Sequence, residues 1–145
     1  MLSRILNALS SPTPTPLPEP DANLALGTLM VRVAKSDHRY RFEEISRIDT
    51  LLARLHGIGP IDAAKMRATC EKLDHQAVST ADLAQLIRET LSLEARRDAL
   101  EALWEVVLAD GQRHPEEIAV VDVAQEALGL SNHDNDSARA RAQAH

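Results

Sequence analysis

The sequence contains an internal repeat, and this repeat constrains the fold more than any other feature. The segment VAKSDHRYRFEEISRIDTLLARL, which starts at Val33, aligns without a gap with VVLADGQRHPEEIAVVDVAQEAL, which starts at Val106. The offset is 73 residues, and each unit reads as an apolar helix, a short acidic loop and an amphipathic helix. Two such units predict a helical bundle with approximate two-fold symmetry. Seven of the 23 aligned positions are identical, namely Val33/Val106, Asp37/Asp110, Glu43/Glu116, Glu44/Glu117, Ile45/Ile118, Asp49/Asp122 and Leu55/Leu128.

The apolar residues after residue 20 follow helical spacing almost throughout. Gly57 suits a left-handed C-terminal cap, Pro60 suits a first helical position, and Ser79 and Ser92 suit N-caps. Only three residues are aromatic, and no alternating strand pattern of useful length occurs. The sequence therefore predicts an all-α fold, a single bundle of six to seven helices with an internal two-fold pseudo-repeat. The six main helices are expected over residues 23–36, 42–56, 60–74, 80–91, 93–109 and 115–128.

The third of these helices shows how the core is expected to be built. Its spacing predicts that one face points inward, and Cys70 on the same helix is expected to be a packing residue rather than a nucleophile. The residues predicted on the inward face are Ile61, Ala64, Ala68 and Leu73.

The chain divides into four predicted segments. Residues 1–10 form a short amphipathic segment, which is either a weak contact with a membrane or partner, or a short helix that frays or docks on its own domain. Residues 11–20, SPTPTPLPEP, predict a semi-rigid, proline-rich linker. Residues 21–131 form the helical domain, and residues 132–145 form a polar tail that is either a loose last helix or without regular structure. The apolar stripe of the first segment consists of Leu2, Ile5, Leu6 and Leu9.

Composition and motifs exclude several classes of function. The formal net charge of −6 argues against non-specific binding of nucleic acid by the whole surface. The single cysteine excludes an internal disulfide and a cysteine-rich zinc site. No glycine-rich phosphate loop and no nucleophile–base signature occurs, so an enzyme is not expected. No apolar run approaches the roughly 18 residues of a spanning helix. We expect a cytoplasmic protein, with residues 1–10 as a weak peripheral contact with a membrane.

The repeated acidic loops carry the residues that indicate chemistry. A tight helix–loop–helix turn brings the loop aspartate near a glutamate in the first turn of the next helix, and such carboxylate clusters suit Ca²⁺ or Mg²⁺. Neither loop is an EF-hand, because the third, fifth and sixth loop positions lack the required residues. His38 and His114 lie at different places in the two loops, so Zn²⁺ is less favoured. The motifs are Asp37 with Glu43 and Glu44, and Asp110 with Glu116 and Glu117.

The same glutamates also have a purely structural interpretation. Acidic groups in the first turn of a helix interact favourably with the helix dipole, by about 0.3–1 kcal/mol each. Glu44 and Glu117 can also fold back on the N-cap, as in a capping box. The N-cap residues are then Arg41 and His114, which are poor caps, and the loop aspartates stay unexplained. The residues alone leave both interpretations open, a cation or polar-ligand site and helix capping without a ligand.

The segments LADGQRHPEEIAVVDVAQEALGL and VRVAKSDHRYRFEEISRIDTLL resemble the TerB-like family of tellurite-resistance-associated proteins, over roughly residues 22–131. The chain is most similar to the short bacterial single-domain members, which also have an amphipathic start and a proline-rich spacer. The resemblance implies an all-helical fold with two-fold similarity, a stress-response role and non-enzymatic action near the membrane. It also implies metal chelation by acidic residues, which match Asp37, Glu44, Asp110 and Glu117 in this sequence.

The first unit departs from the family pattern more than the second. Ser36-Asp37-His38 stands where Ala-Asp-Gly is usual, and Arg41-Phe42 stands where Ser-Pro is usual. The favoured function is a non-enzymatic, TerB-like stress-response module that binds a divalent cation and so stiffens or exposes a surface for a protein partner. The alternative is a metal-free helical interaction or scaffold domain whose acidic motifs only cap helices.

Overall fold

The computed structural model describes residues 20–144, and these residues form seven α-helices and no strand. This architecture confirms the predicted all-α bundle. The amphipathic segment 1–10 and the linker up to residue 19 lie outside the described residues. No helix within the described range is both long enough and apolar enough to cross a membrane. The helices are α1 (Ala22–Lys35), α2 (Phe42–His56), α3 (Pro60–His75), α4 (Thr80–Thr90), α5 (Leu93–Val107), α6 (Pro115–Ala127) and α7 (Asn132–Gln143).

Helices α1 and α5 form the middle of the bundle. Ten of the 14 residues of α1 are buried, as are eight of the 15 residues of α5. The two helices pack against each other, and every other helix contacts at least one of them. Their side chains are mainly aliphatic, and the largest one in the core is Trp104 of α5, which is 2% exposed. The apolar residues of the two segments therefore bury one another, over most of α1 and over the second half of α5.

The helix contacts repeat in the two halves of the chain. Helix α3 packs along α1 as α7 packs along α5, and α2 and α6 each contact both central helices. Helix α4 lies outside this scheme and packs mainly on α1 and α6. The arrangement confirms the internal two-fold pseudo-repeat and places the two acidic loops at equivalent positions.

Helix α7 lies in residues 132–145, which the sequence sets apart as a polar tail. Its Ala138 and Ala142 are 0% and 5% exposed. Trp104 donates its indole N–H to Asn135 Oδ1 at 2.8 Å. Small alanines four residues apart let a mostly polar helix lie close to a tryptophan that is already part of the core. The packed bundle of the described residues thus continues beyond residue 131.

Helix α3 is rotated about its axis relative to the predicted orientation. Leu73 is buried as expected, but Ile61 is 73% exposed and Ala68 is also exposed. Cys70 is buried instead, against Gly27 of α1, where an added Cβ would lie 2.5 Å from the Cys70 Sγ. This close approach sets the rotation of the helix. Burial raises the pKa of the Cys70 thiol to about 11, as suits a packing residue.

Short polar and glycine caps end the helices where the sequence predicts. The Ser79 hydroxyl accepts the Asp82 backbone N–H at 3.0 Å, and Ser92 caps α5 in the same way. Gly57 and Gly129 are left-handed, with φ of 61° and 73°. These caps fix where each helix begins and ends, and so fix the loops that connect them.

Partly buried ion pairs attach the two central helices to different neighbours. Arg32 of α1 and Glu105 of α5 lie at equivalent positions, 73 residues apart, but carry opposite charges. Arg32 Nε lies 2.8 Å from Asp74 Oδ1 at the end of α3. Glu105 is 3% exposed, and its carboxylate oxygens lie 2.8 Å from Arg54 Nη2 and 3.5 Å from Arg47 Nη1, both on α2.

Candidate metal centre

The loops that follow α1 and α5 have the same backbone shape. His38 and Gly111 occupy equivalent positions and are both left-handed, with φ of 65° and 76°. Asp37 Oδ1 and Asp110 Oδ1 each accept the backbone N–H of the residue two positions later, at 3.1 and 3.0 Å. The histidine in the first loop, where the family pattern has glycine, therefore leaves the turn and its aspartate unchanged.

Each following helix contributes one buried carboxyl group. Glu44 and Glu117, in the first turns of α2 and α6, are fully buried, whereas Glu43 and Glu116 are exposed. The loop aspartates are about one-tenth exposed, at 9% and 10%. The structure thus brings together the four carboxyl groups that the sequence proposes as a site: Asp37, Glu44, Asp110 and Glu117.

Two basic side chains lie among these carboxyl groups. Arg41 and His114 are the N-cap residues of α2 and α6, at equivalent positions of the repeat. Arg41 Nη1 lies 2.7 Å from Asp37 Oδ2 and 3.4 Å from Glu44 Oε1, and its Nε lies 3.3 Å from Asp110 Oδ2. His114 Nε2 lies 2.8 Å from Asp110 Oδ2, and its Nδ1 lies 3.5 Å from Asp37 Oδ2. Both residues therefore connect the two motifs.

Glu117 differs from the other three carboxyl groups because neither of its oxygens receives a hydrogen bond from a donor group within residues 20–144, and its polar neighbour is the Glu44 carboxyl. Glu44 has one such oxygen, Oε2, while its Oε1 accepts the Arg41 backbone N–H at 3.3 Å. Glu117, Asp37 and His114 each offer one ligand atom, and these three atoms lie within 4.8 Å of one another. Helix capping accounts for part of Glu44, but it does not account for Glu117.

The surroundings shift the pKa values of these groups in opposite directions. Burial alone would raise the pKa of Asp37, but the Arg41 side-chain hydrogen bond and the Arg39 N–H outweigh it and lower that pKa. Burial would also raise the pKa of Asp110, but the hydrogen bonds from His114 and the Gln112 N–H, together with nearby positive charge, outweigh it and lower that pKa. Burial, followed by the nearby Glu44 carboxyl, raises the pKa of Glu117 to about 10. In the metal-free protein, Glu117 therefore carries a proton at neutral pH.

The donor set fits a divalent cation. Hard cations such as Ca²⁺ and Mg²⁺ take several oxygen ligands; Asp37 and Glu117 offer oxygens close enough together for one ion, and the carboxyl groups of Glu44 and Asp110 lie beside them. His114 adds an imidazole nitrogen, a ligand that Zn²⁺ and other transition metals accept. The residues are held by helix starts and short turns, which fixes their positions before any ion arrives.

The relationship of this chain to known proteins is given by a match to one protein family. The family model for tellurite resistance protein TerB matches residues 23–140, which include both acidic motifs. The chain belongs to the TerB family. The match confirms the resemblance seen in the sequence and extends into α7. No curated protein and no solved structure matches the sequence significantly.

Arg41 is the site residue in this TerB-family chain that the sequence did not assign. The sequence signal for Arg41 is its position as the N-cap of α2, where serine, threonine or aspartate is usual. The sequence predicts His114 as a helix N-cap and, less favourably, as a transition-metal ligand, and the structure places its ring between the two aspartates. His38, the other loop histidine, is exposed.

Proposed function

We propose that this TerB-family chain is a non-enzymatic stress-response module that binds a divalent cation through Asp37, Glu44, Asp110 and Glu117. The observation that carries the proposal is the Glu117 carboxyl group, which is fully buried, faces three other carboxyl groups and receives no hydrogen bond from a donor group in the described part of the chain. Ionising a buried carboxyl group that receives no hydrogen bond is unfavourable, and the neighbouring carboxylates add repulsion. A cation bound there would offset both penalties.

The ion would connect the two halves of the molecule. Its ligands come from the loop after α1 and the start of α2, and from the loop after α5 and the start of α6. Binding would therefore stiffen the end of the bundle where these loops meet and set the shape of that surface for a protein partner. We favour Ca²⁺ or Mg²⁺ because four of the donor groups are carboxylates, with Zn²⁺ as the less favoured ion.

The cellular role follows from the family. The TerB family carries the name tellurite resistance protein, and we extend to this chain a part in stress responses that include tellurite. We place this role in the cytoplasm, with residues 1–10 as a weak peripheral contact with the membrane. The competing function is a metal-free scaffold, which the contacts of Arg41 and His114 with the aspartates favour.

Calorimetric titration of Ca²⁺, Mg²⁺ and Zn²⁺ into the metal-stripped protein separates the two functions. We expect wild-type protein to bind Ca²⁺ or Mg²⁺ and Glu117→Gln to lose at least about tenfold in affinity. Glutamine has the shape of the protonated glutamate that the metal-free protein holds, so this variant keeps the fold while removing a ligand. Glu116→Gln is the matched control, because Glu116 is the exposed neighbour.

The titration also has an outcome that contradicts the proposal. Absence of heat and of thermal stabilisation at millimolar concentrations of all three cations would leave the carboxyl groups as helix-terminal residues and support the scaffold function. Equal affinities in Glu117→Gln and Glu116→Gln would place any bound ion elsewhere. The double variant Asp37→Asn/Asp110→Asn tests the loop aspartates in the same way.

A further inference from the structure

The Arg41 guanidinium lies within the carboxylate cluster where a cation would have to bind. It contacts three of the four carboxyl groups, those of Asp37, Glu44 and Asp110, at 2.7, 3.4 and 3.3 Å. The side chain is 21% exposed, so one edge of the group reaches solvent while the rest faces the cluster. A single guanidinium thus already bridges the two acidic motifs.

Arg41 and His114 occupy equivalent positions but relate differently to a metal ion. A neutral imidazole has a lone pair and is a metal ligand. A guanidinium stays protonated, offers only donors and has no acceptor atom, so it cannot be a ligand. Two positive charges a few ångströms apart also repel strongly in a partly buried site. The ion and the guanidinium therefore cannot share the carboxylates of Asp37 and Asp110 in the observed arrangement.

We propose that Arg41 is an internal competitor for the divalent cation, so that binding requires its guanidinium to leave Asp37 and Asp110. The inference rests on the proposed cation site and adds a determinant of its affinity. In the metal-free protein Arg41 holds the two motifs together, and the incoming ion takes over that function. The arginine thereby raises the cation concentration at which the site fills, while it stabilises the empty form.

The first test compares Ca²⁺ affinity in wild-type, Arg41→Gln and Arg39→Gln proteins by calorimetry. We expect Arg41→Gln to bind at least about tenfold more tightly than wild type. Arg39→Gln is the control. It removes the same charge from an exposed side chain two residues before Arg41, so it reports only the long-range effect of net charge on Ca²⁺ affinity. We also expect a lower melting temperature for Arg41→Gln in chelator, recovered by Ca²⁺. Arg41→Lys keeps the positive charge but lacks the planar guanidinium, so its Ca²⁺ affinity should lie between those of wild type and Arg41→Gln.

The second test observes Arg41 in the wild-type protein, so it does not depend on a variant that folds. The Arg41 Nε–H, close to Asp110 in the metal-free state, should shift in a nitrogen–proton correlation spectrum and lose its exchange protection at saturating Ca²⁺.

The outcomes separate this inference from the proposed site. Binding by wild type with equal affinities in Arg41→Gln and Arg39→Gln, or an unchanged Arg41 resonance at saturation, would overturn the competitor role alone. Absence of binding by wild type and Arg41→Gln alike would overturn both proposals.

Discussion

The two acidic motifs share one backbone but differ in chemistry at the helix starts. The loop aspartates make the same turn in both halves. At the next equivalent position the first motif has an arginine and the second has a histidine. The buried glutamates differ as well, because Glu44 accepts the N–H of Arg41 whereas Glu117 accepts from no described residue.

This difference shows how a duplicated motif can divide its tasks. In the first half, Glu44 and Arg41 satisfy the start of α2 and supply a fixed positive charge. In the second half, the N–H at the equivalent position, that of His114, makes no hydrogen bond to Glu117, and Glu117 is left available. The first motif thus stabilises the empty site, and the second supplies its most available ligand.

The largest expected effect concerns α7, the outer helix of the second half, which packs along α5 as α3 packs along α1. Deleting residues 132–145 removes the helix that covers α5 and leaves Trp104 without its cover and its acceptor. We expect the free energy of unfolding to fall by more than about 3 kcal/mol, measured by urea denaturation with circular dichroism. Deleting only residues 144–145 is the control. An unchanged denaturation midpoint after the long deletion would mean that α7 does not contribute to the stability of the bundle.

A second comparison sets Glu117→Gln against Glu44→Gln in chelator. Because the pKa of Glu117 is raised from 4.5 to about 10, the folded state keeps a proton that the unfolded state loses as pH rises. Wild-type stability therefore falls across this range, by up to about 1.4 kcal/mol per pH unit. Glu117→Gln removes this loss, so we expect it to match wild type near pH 4 and to be more stable at pH 7 and 9.

The equivalent substitution in the first half, Glu44→Gln, should change the stability at pH 7 in the opposite direction to Glu117→Gln. Glu44→Gln weakens the charged contact with Arg41, and we expect it to destabilise the protein by about 1 kcal/mol at pH 7. Urea denaturation of both variants at each pH measures the two effects. Stabilisation by both substitutions, or by neither, would show that the two glutamates are in equivalent environments.

The smallest expected effect concerns the left-handed residues of the two loops. Gly111→His should cost about 1 kcal/mol, because a side chain disfavours this conformation and no other atom lies within 4 Å of the added Cβ. His38→Gly should change stability by less than about 0.5 kcal/mol, since relief of strain is offset by the flexibility of glycine in the unfolded chain. Thermal melts of both variants measure this, and a large loss in His38→Gly would give that histidine a contact in solution beyond its backbone role.

Local sequence signals predicted most of the fold. Ser79, Gly57 and Pro60 mark helix ends through their own backbone and side-chain chemistry, which requires no knowledge of distant residues. The repeat added one long-range inference, that the acidic loops are equivalent. Equivalence alone does not predict that the two loops meet, and it is the contacts of Arg41 and His114 with both aspartates that bring Asp37 and Asp110 into one cluster.

The remaining features depend on contacts that the sequence does not display. The rotation of α3 is set by Cys70 seated against Gly27, and that pairing outweighs the apolar character of Ile61. Helix α7 is held by two buried alanines and by the contacts of Asn135 and Arg139 with Trp104, which hydrophobic spacing does not detect. Ordinary capping rules gave no indication that Arg41 reaches across to the other motif.

The opposite charges of Arg32 and Glu105 have a consequence for how the duplicated halves recognise one another. If the two central helices exchanged places, Glu105 would face Asp74, and Arg32 would face Arg47 and Arg54. Like charges would then meet in a partly buried setting, which is unfavourable. The two halves are similar in sequence, but the charges of Arg32 and Glu105 distinguish them. These charges favour the observed pairing of the helices over one in which the two central helices are exchanged.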